Sequence, residues 1–236
     1  MCLQLPLFHY LDSWFKTRYG CLIIKNLNII KSKAANEYYE RNIDNHNHWV
    51  PNTSYLEFIK SLKPKNILDI GCEDGRVLNI YQKYLKTKIN YGIDLSHKAI
   101  NKGKNKHKNL KLLKLSSLEI DKIKIKFDII ICGFFLYLLD REEIFKQFDL
   151  IYKKLNNNGY LIINDFDPLF NHTNKNIHNK NLKSYKMKYD NFLEQSGLFQ
   201  IIYKHNYKST GKYKSKDITF VVFKKIDFTE SYPENV

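Results

Sequence analysis

The stretch "NILDIGCEDGRVLNIYQKYLKTKINYGIDLS" (66–96) constrains the fold more than any other part of the chain. It reads as a short apolar strand, a turn with glycines at 71 and 75, a helix over 75–85, and a second strand ending in Asp94. Two strands joined through a helix run parallel, with the helix crossing over one face of the sheet. The same alternation continues to residue 165. "SHKAINKGKNKH" forms a helix capped by Ser96, "NLKLLKL" and "FDIIICG" are strands, "REEIFKQFDLIYKKL" is an amphipathic helix and "GYLIINDF" is a fifth strand. Ile144, Phe148, Ile151 and Leu155 fall near one face of that helix. "LFQIIYKHNY" and "DITFVVFKK" have strand composition and pair as an antiparallel ribbon. Such a pattern predicts an α/β protein with a mainly parallel sheet and helices on both faces.

Before residue 65 the chain reads as helical, in "SKAANEYYERNI" and in "NTSYLEFIKSL", the latter capped by Asn52 or Thr53. The expected organisation is an N-terminal helical extension or lid over 1–64, a cofactor-binding domain over 65–228 and a short tail over 229–236. The polar segment from Asn171 to Lys186 is expected to be a loop. No apolar run approaches the roughly 18–20 residues of a membrane span, and the N-terminus lacks the pattern of a signal peptide. Four scattered cysteines with no metal spacing fit a reducing cytoplasm and no metal centre.

A net charge of +15 raises the question of nucleic acid, since basic surfaces attract phosphate. However, 35 of the 39 basic residues are lysine, in a chain also rich in Asn and Ile. Planar, bidentate arginine is the usual choice for reading nucleic acid. Codon bias therefore explains the charge better than phosphate contacts do.

Ligands on open parallel sheets sit beyond the carboxyl ends of the strands. The turn after the first strand reads Asp69-Ile70-Gly71-Cys72-Glu73-Asp74-Gly75. A dinucleotide fingerprint would need glycine at 73 and 76, where Glu73 and Arg76 stand, and no phosphate-loop Lys-Ser/Thr follows. The expected ligand lacks phosphates, and the Glu73 side chain is expected to face solvent. Asp94, one βαβ unit later, is placed to accept hydrogen bonds from two ribose hydroxyls, or to cap the helix that follows.

Together "ILDIGCEDGR", "YGIDLS", "FDIIICGFFLYLLD" and "LNNNGYLIINDF" resemble the successive motifs of class I S-adenosylmethionine-dependent methyltransferases of the type 11/25-like kind. The resemblance spans about residues 65–166. It implies a Rossmann-like, doubly wound, seven-stranded sheet, mostly parallel with an antiparallel final strand. It also implies S-adenosylmethionine as cofactor. Asp69, Gly71, Cys72 and Gly75 match the glycine loop, Asp94 the ribose-binding acid, and Leu95 the residue against the adenine. Ser116, with Ser117, matches the position where many members have an aspartate facing the adenine amine, and Glu119 is the alternative. Cys132, Gly133 and Phe134 match the segment beside the transferred methyl, where Phe135 and Leu138 are expected to pack the core. Tyr137 is a candidate for contact with the sulfonium or for catalysis.

The acceptor side is expected in the segment after the fifth strand. Asp165 and His178 are candidate catalytic groups there, a histidine being able to exchange protons near neutrality. Only one of Asp165 and Asp167 is expected to face the pocket. Asp167, Tyr185 and Lys186 are candidate acceptor contacts, with Arg41, His48 and Trp49 as part of a lid. "GFFLYLLDREEIF", "DFDP" and "SYKMKY" resemble a bacterial subgroup associated with surface-glycan or nonulosonic-acid loci, which implies a sugar or nucleotide-sugar acceptor. The leading reading is methyl transfer to an oxygen or nitrogen of a small molecule. Its alternatives are an RNA methyltransferase and a non-catalytic cofactor-binding protein.

Overall fold

The computed structural model describes residues 31–43, 50–175, 183–208 and 217–228. Residues 31–43 form helix α1. Helix α2 (Thr53–Ser61) starts where the Asn52 side chain accepts from the Ser54 N–H, one of the two caps expected from sequence. Then come β1 (Asn66–Ile70), α3 (Arg76–Leu85), β2 (Ile89–Asp94), α4 (His97–Lys106), β3 (Lys111–Lys114) and β4 (Phe127–Gly133). A 3-10 turn (Arg141–Glu143) leads into α5 (Ile144–Lys154), which runs directly into β5 (Leu155–Phe166). The short strands β6 (His172–Lys175) and β7 (Lys183–Lys186) follow, then α6 (Tyr189–Gln195), β8 (Phe199–Lys208) and β9 (Asp217–Lys225).

Seven strands form one sheet in the order β3-β2-β1-β4-β5-β9-β8. β1, β2, β3, β4 and β5 pair in parallel, whereas β9 runs antiparallel between β5 and β8. This is the expected doubly wound sheet with a reversed final strand. Chain order reverses between β1 and β4, and this switch opens a crevice at their carboxyl ends. The register Ile70↔Ile93 and Ile70↔Cys132 brings the ends of β2, β1 and β4 to one line.

Both faces of the sheet are covered. Leu68, Ile70, Ile130 and Leu161 pack with Phe148 and Ile151 of α5 and Leu193 of α6. Ile67, Ile129 and Ile162 pack on the other face with Leu56 and Ile59 of α2, Leu78 of α3 and Ile100 of α4. Each such side chain contributes roughly 1.5–3 kcal/mol by leaving water, which explains why β1 carries apolar residues towards both faces, at Ile67, Leu68 and Ile70, rather than on one face only. On α5, Ile144, Phe148 and Ile151 are buried as its periodicity predicts, and Leu155 continues the same face.

The expected loop from Asn171 to Lys186 departs from the sequence reading. Its described ends pair as a two-stranded antiparallel ribbon, β6 with β7, in the register His172↔Lys186 and Lys175↔Lys183. The ribbon is polar on both faces, so no apolar alternation announces it.

Candidate functional site

The turn after β1 is built on backbone. The Gly71 and Cys72 N–H groups both donate to the Ile93 carbonyl, at 2.9 and 3.0 Å, and the Gly75 N–H closes onto the Cys72 carbonyl at 2.9 Å. Gly71 (φ +79°) and Gly75 (φ +76°) take the left-handed conformation that glycine adopts without penalty. Glu73 takes it too, at φ +51°. The position where related loops carry glycine thus makes the same conformational demand here, met by a residue with a Cβ. α4 lies tight against this loop: a Cβ on Gly103 would stand 2.3 Å from the Asp74 carbonyl oxygen.

Asp94 ties the loop to β2. Its Oδ2 accepts the Glu73 N–H at 3.0 Å, and its Oδ1 accepts the Ser96 N–H at 2.7 Å. Ser96 in turn caps α4 by accepting the Ala99 N–H at 3.1 Å. Both sequence readings of Asp94 thus meet in one residue, since it anchors the helix entry and stands at the strand end. Burial pushes its carboxyl up to about 6, against the lowering effect of these backbone donors. Asp69 is buried beneath the loop and rises to about 7, through burial first and then through Asp94 and Glu73. Glu73 is half-buried and close enough to raise Asp69, Asp94 and Tyr137. Its charge therefore acts on these neighbouring groups. The result is a concentration of carboxylates suited to a cationic ligand.

At the third strand end, Ser116 is engaged in a capping box. Its hydroxyl accepts the Leu118 N–H at 3.3 Å while Glu119 Oε2 accepts the Ser116 N–H at 3.3 Å. Ser117 is buried and its carbonyl accepts from Gln147. Leu95 is half-buried, and its carbonyl accepts the Ser32 hydroxyl at 3.0 Å.

After β4, Cys132 is fully buried, and nothing lies within 4 Å of where a Gly133 Cβ would stand. Phe134 adopts φ +48°, held by its N–H on the Asn164 carbonyl at 2.8 Å. Backbone strain of this kind concentrates where geometry serves a site. Phe135 packs over Gly71, 3.2 Å from the position of its missing Cβ, and against the core, as expected. Leu138 does not pack inward as expected: it is 37% exposed. Tyr137 meets Phe166 edge to face, with centroids 5.1 Å apart, and its hydroxyl hydrogen-bonds with Tyr38 of α1. Burial and Tyr38 push the Tyr137 phenol well above its usual range, so it stays protonated at neutral pH.

Asp165, a candidate catalytic group by sequence, is enclosed by backbone donors. It is fully buried, with Oδ1 accepting the Phe166 N–H at 2.7 Å and Oδ2 the Tyr137 N–H at 3.3 Å. Burial raises it to about 7 against the lowering effect of those donors. It organises the turn after β4. Asp167 faces β8 and β9: its Oδ2 accepts from Asn206 Nδ2 at 3.0 Å, and its N–H donates to the Asp217 carbonyl. Residues two apart on a strand share a face, so alternation does not separate these two aspartates. They diverge because β5 ends at Phe166. Tyr185 donates to Asp140 at 3.5 Å, and the Lys186 ammonium lies 4.1 Å above the Phe166 ring. His178, His48 and Trp49 lie outside the described residues.

Two further contributors join distant segments; the sequence singled out neither Arg141 nor the contacts of the N-terminal helix it predicted. One is Arg141, whose Nη2 donates to the Leu136 and Leu139 carbonyls at 2.8 and 2.7 Å, and whose Nη1 reaches Tyr189 and the Met187 sulfur. Its guanidinium also lies 4.8 Å from the centre of the Tyr185 ring. The available signal was its rarity, as one of four arginines among 39 basic residues. The other is α1. Asn36 bonds Ser96 (2.8 Å) and His97 (2.9 Å), Tyr39 donates to Asp74 (3.1 Å), and Lys31 pairs with Asp140 (3.1 Å) and Glu143 (2.9 Å). α1 therefore bridges from the glycine loop and β2 to the segment after β4. Arg41, expected in the lid, is exposed on this helix.

A family model described as "Methyltransferase domain" matches residues 61–217. The fold is similar to that of the N-methyltransferase NodS from Bradyrhizobium japonicum WM9 in complex with S-adenosyl-L-homocysteine, at 16% identity and TM-score 0.60, covering 82% of this chain and 99% of that one. It is similar to TehB from Haemophilus influenzae (16%, TM-score 0.59, 81% and 67% covered) and to an S-adenosylmethionine-dependent methyltransferase from Clostridium acetobutylicum (15%, TM-score 0.58, 80% and 98% covered). An uncharacterized protein of Rickettsia prowazekii is 37% identical over 108 residues, a match spanning 43% of this chain and 43% of that protein. The family model covers well over half of the chain and includes strands β1–β5, whose carboxyl ends form the crevice, so the chain belongs to the methyltransferase-domain family, and the solved structures similar to it include S-adenosylmethionine-dependent enzymes.

Proposed function

We propose that this protein transfers the methyl group of S-adenosylmethionine to an oxygen or nitrogen of a small polar acceptor. The observation that carries this reading is the space above Gly133, which adjoins the loop after β1 and is bordered by Phe134. The cofactor supplies a methyl carbon made electrophilic by a sulfonium. The residues fit such a group: Asp94 offers carboxylate oxygens at the β2 end, and Asp69 and Glu73 add negative charge for the ammonium and sulfonium. Gly71, Cys72 and Gly75 keep the loop low, while Leu95, Ser116 and Ser117 stand where an adenine would lie. In-line displacement needs the acceptor held opposite the sulfur at close range. Phe134, Tyr137 and Phe166 would shape that approach, with Tyr185, Lys186 and Asp167 on the segments that follow β5.

Helix α1 acts as part of a lid in this reading, because it touches both the β2 end and Tyr137. Replacing Asn36 with alanine should speed release of S-adenosylhomocysteine in stopped-flow measurements, and an unchanged rate would remove α1 from that role. A glycan precursor in the cytoplasm is the acceptor class favoured by the sequence resemblance. The lysines do not favour RNA: they lie on α4 and β7, but also at 122–126, at the opposite end of the sheet from the crevice. Among the described residues no helix is long and apolar enough to cross a membrane. The decisive experiment incubates the protein with methyl-labelled cofactor and sugar, nucleotide-sugar and RNA acceptors. Label appearing on RNA alone would overturn the small-molecule reading.

A further inference from the structure

We infer that the acceptor carries an anionic group, a carboxylate or a phosphate, and that Lys186 reads it; this rests on the acceptor entering beside Gly133 as proposed above. The Phe166 ring stands edge-on to both Tyr137 (5.1 Å, 88°) and Phe134 (5.7 Å, 74°), so three aromatic side chains form one wall next to the open Gly133 position. The Lys186 ammonium lies over that wall, 4.1 Å from the Phe166 centroid. It is half-buried, and an ammonium that has given up part of its hydration to an aromatic face gains more from an anion than a fully solvated one does.

The position of this charge is built into the fold. β7 carries Lys186 between Tyr185 and Met187, and Arg141 grips both neighbours, through the Tyr185 ring and the Met187 sulfur. The same guanidinium holds the Leu136 and Leu139 carbonyls of the turn after β4. Lys186 is thereby fixed relative to Tyr137 and Gly133. Across the ribbon, His172 is its direct partner in the register, and side chains of opposed residues lie on one face. The His172 Nδ1 bonds the Phe170 carbonyl, which can only accept, so this nitrogen carries the proton. Asp69, Glu73 and Asp94 thus stand on the β1–β2 side, and Lys186 stands over Phe166 at the end of β5. An acceptor with a negative group would orient itself in that field with its far end towards the cationic cofactor.

The test reads Lys186 itself. In protein labelled with 13C-lysine and loaded with S-adenosylhomocysteine, the Lys186 ε-methylene signal is shifted by the Phe166 ring current and is assigned by its loss in Lys186→Arg. Acetate, methylphosphonate and the neutral isostere acetamide are titrated separately at constant ionic strength. The expected result is a saturable shift of the Lys186 signal with an anion, none with acetamide, and no saturable response at the exposed Lys175. Whichever anion saturates at lower concentration distinguishes carboxylate from phosphate. No shift, an equal shift with acetamide, or identical behaviour of Lys175 and Lys186 would overturn the inference. Calorimetry with S-adenosylhomocysteine reports separately on the cofactor reading, so failure of one is not mistaken for failure of the other.

Discussion

Asp94 Oδ2 accepts the backbone N–H of Glu73 at 3.0 Å, so the strand-end acid and the glycine loop are one structural unit. In the proposed function, alanine at position 94 removes both a ribose acceptor and the anchor of the loop. Hydrogen bonds to a charged group are worth about 1.5–3 kcal/mol, or roughly a 10- to 150-fold change in affinity. Calorimetry should show a loss of that size for S-adenosylmethionine and for S-adenosylhomocysteine alike. An unchanged Kd would mean that Asp94 only caps α4.

The acids around the loop make cofactor binding sensitive to pH. Burial raises Asp69 to about 7 and Asp94 to about 6, so both gain negative charge as pH rises from 5.5 to 8. Affinity for the cationic S-adenosylmethionine should strengthen over that window, with protons released on binding. The neutral thioether of S-adenosylhomocysteine should show a shallower dependence. For the free protein the sign is opposite. Folded-state values raised above those of the unfolded chain give stability that is complete below about pH 4 and is lost as pH rises through 6–7. Asp69→Asn should flatten that slope in thermal melts taken across the range. A variant that melts in parallel with the parent at every pH would refute the assignment.

The ladder from β1 to β5 was legible because its signals are local: short strands rich in isoleucine and leucine, glycines at the turn and a cap at Ser96. Phe148 and Ile151 were readable from helical spacing alone. Positions at strand ends, such as Asp69, Asp94 and Gly133, were legible because a place after a strand is a local property of the sequence. It was hidden where contacts join distant segments. Nothing near residue 141 announces that Arg141 will meet Tyr185 and Met187 across the chain, and the lysine- and asparagine-rich β6–β7 ribbon has no apolar face to betray it. For Asp165, sequence shows its position but not the backbone N–H groups that surround it.

Glu73 and Gly103 test the tightness of the glycine loop from opposite sides. A non-glycine residue in the left-handed region is disfavoured by roughly 1–2 kcal/mol, partly offset by the greater freedom glycine has when unfolded. Glu73→Gly should therefore hold or raise the melting temperature, while Glu73→Val, with a branched Cβ at φ +51°, should lower it. Gly103→Ala puts a methyl 2.3 Å from the Asp74 carbonyl oxygen, a backbone atom that cannot rotate away. α4 must then withdraw, and both thermal stability and cofactor affinity should fall. If Gly103→Ala binds and melts like the parent, the packing of α4 on the loop is looser than the geometry states.

Arg141 and Asp165 bracket the turn after β4 from its two ends, the carboxylate taking the Tyr137 N–H and the guanidinium taking the Leu136 and Leu139 carbonyls. Leaving a buried acceptor without its donor costs about 1–3 kcal/mol. Arg141→Met should lose stability of that order in chemical denaturation, because two carbonyls lose their donor and Asp165 loses the charge that favours its ionised form. Arg141→Lys should recover little, since one ammonium cannot span the carbonyls, Tyr189 and Met187 together. The cofactor loop belongs to β1 and β2, so S-adenosylhomocysteine affinity should stay within about twofold of the parent by the additivity of separate sites. Turnover should fall as Phe134 and Tyr137 lose their fixed placement. Adding Asp165→Asn to Arg141→Met should cost less than it does in the parent, because the buried carboxylate has then already lost a nearby positive charge that favours its ionised form. Strict additivity of the two substitutions would show that the residues do not act as a pair.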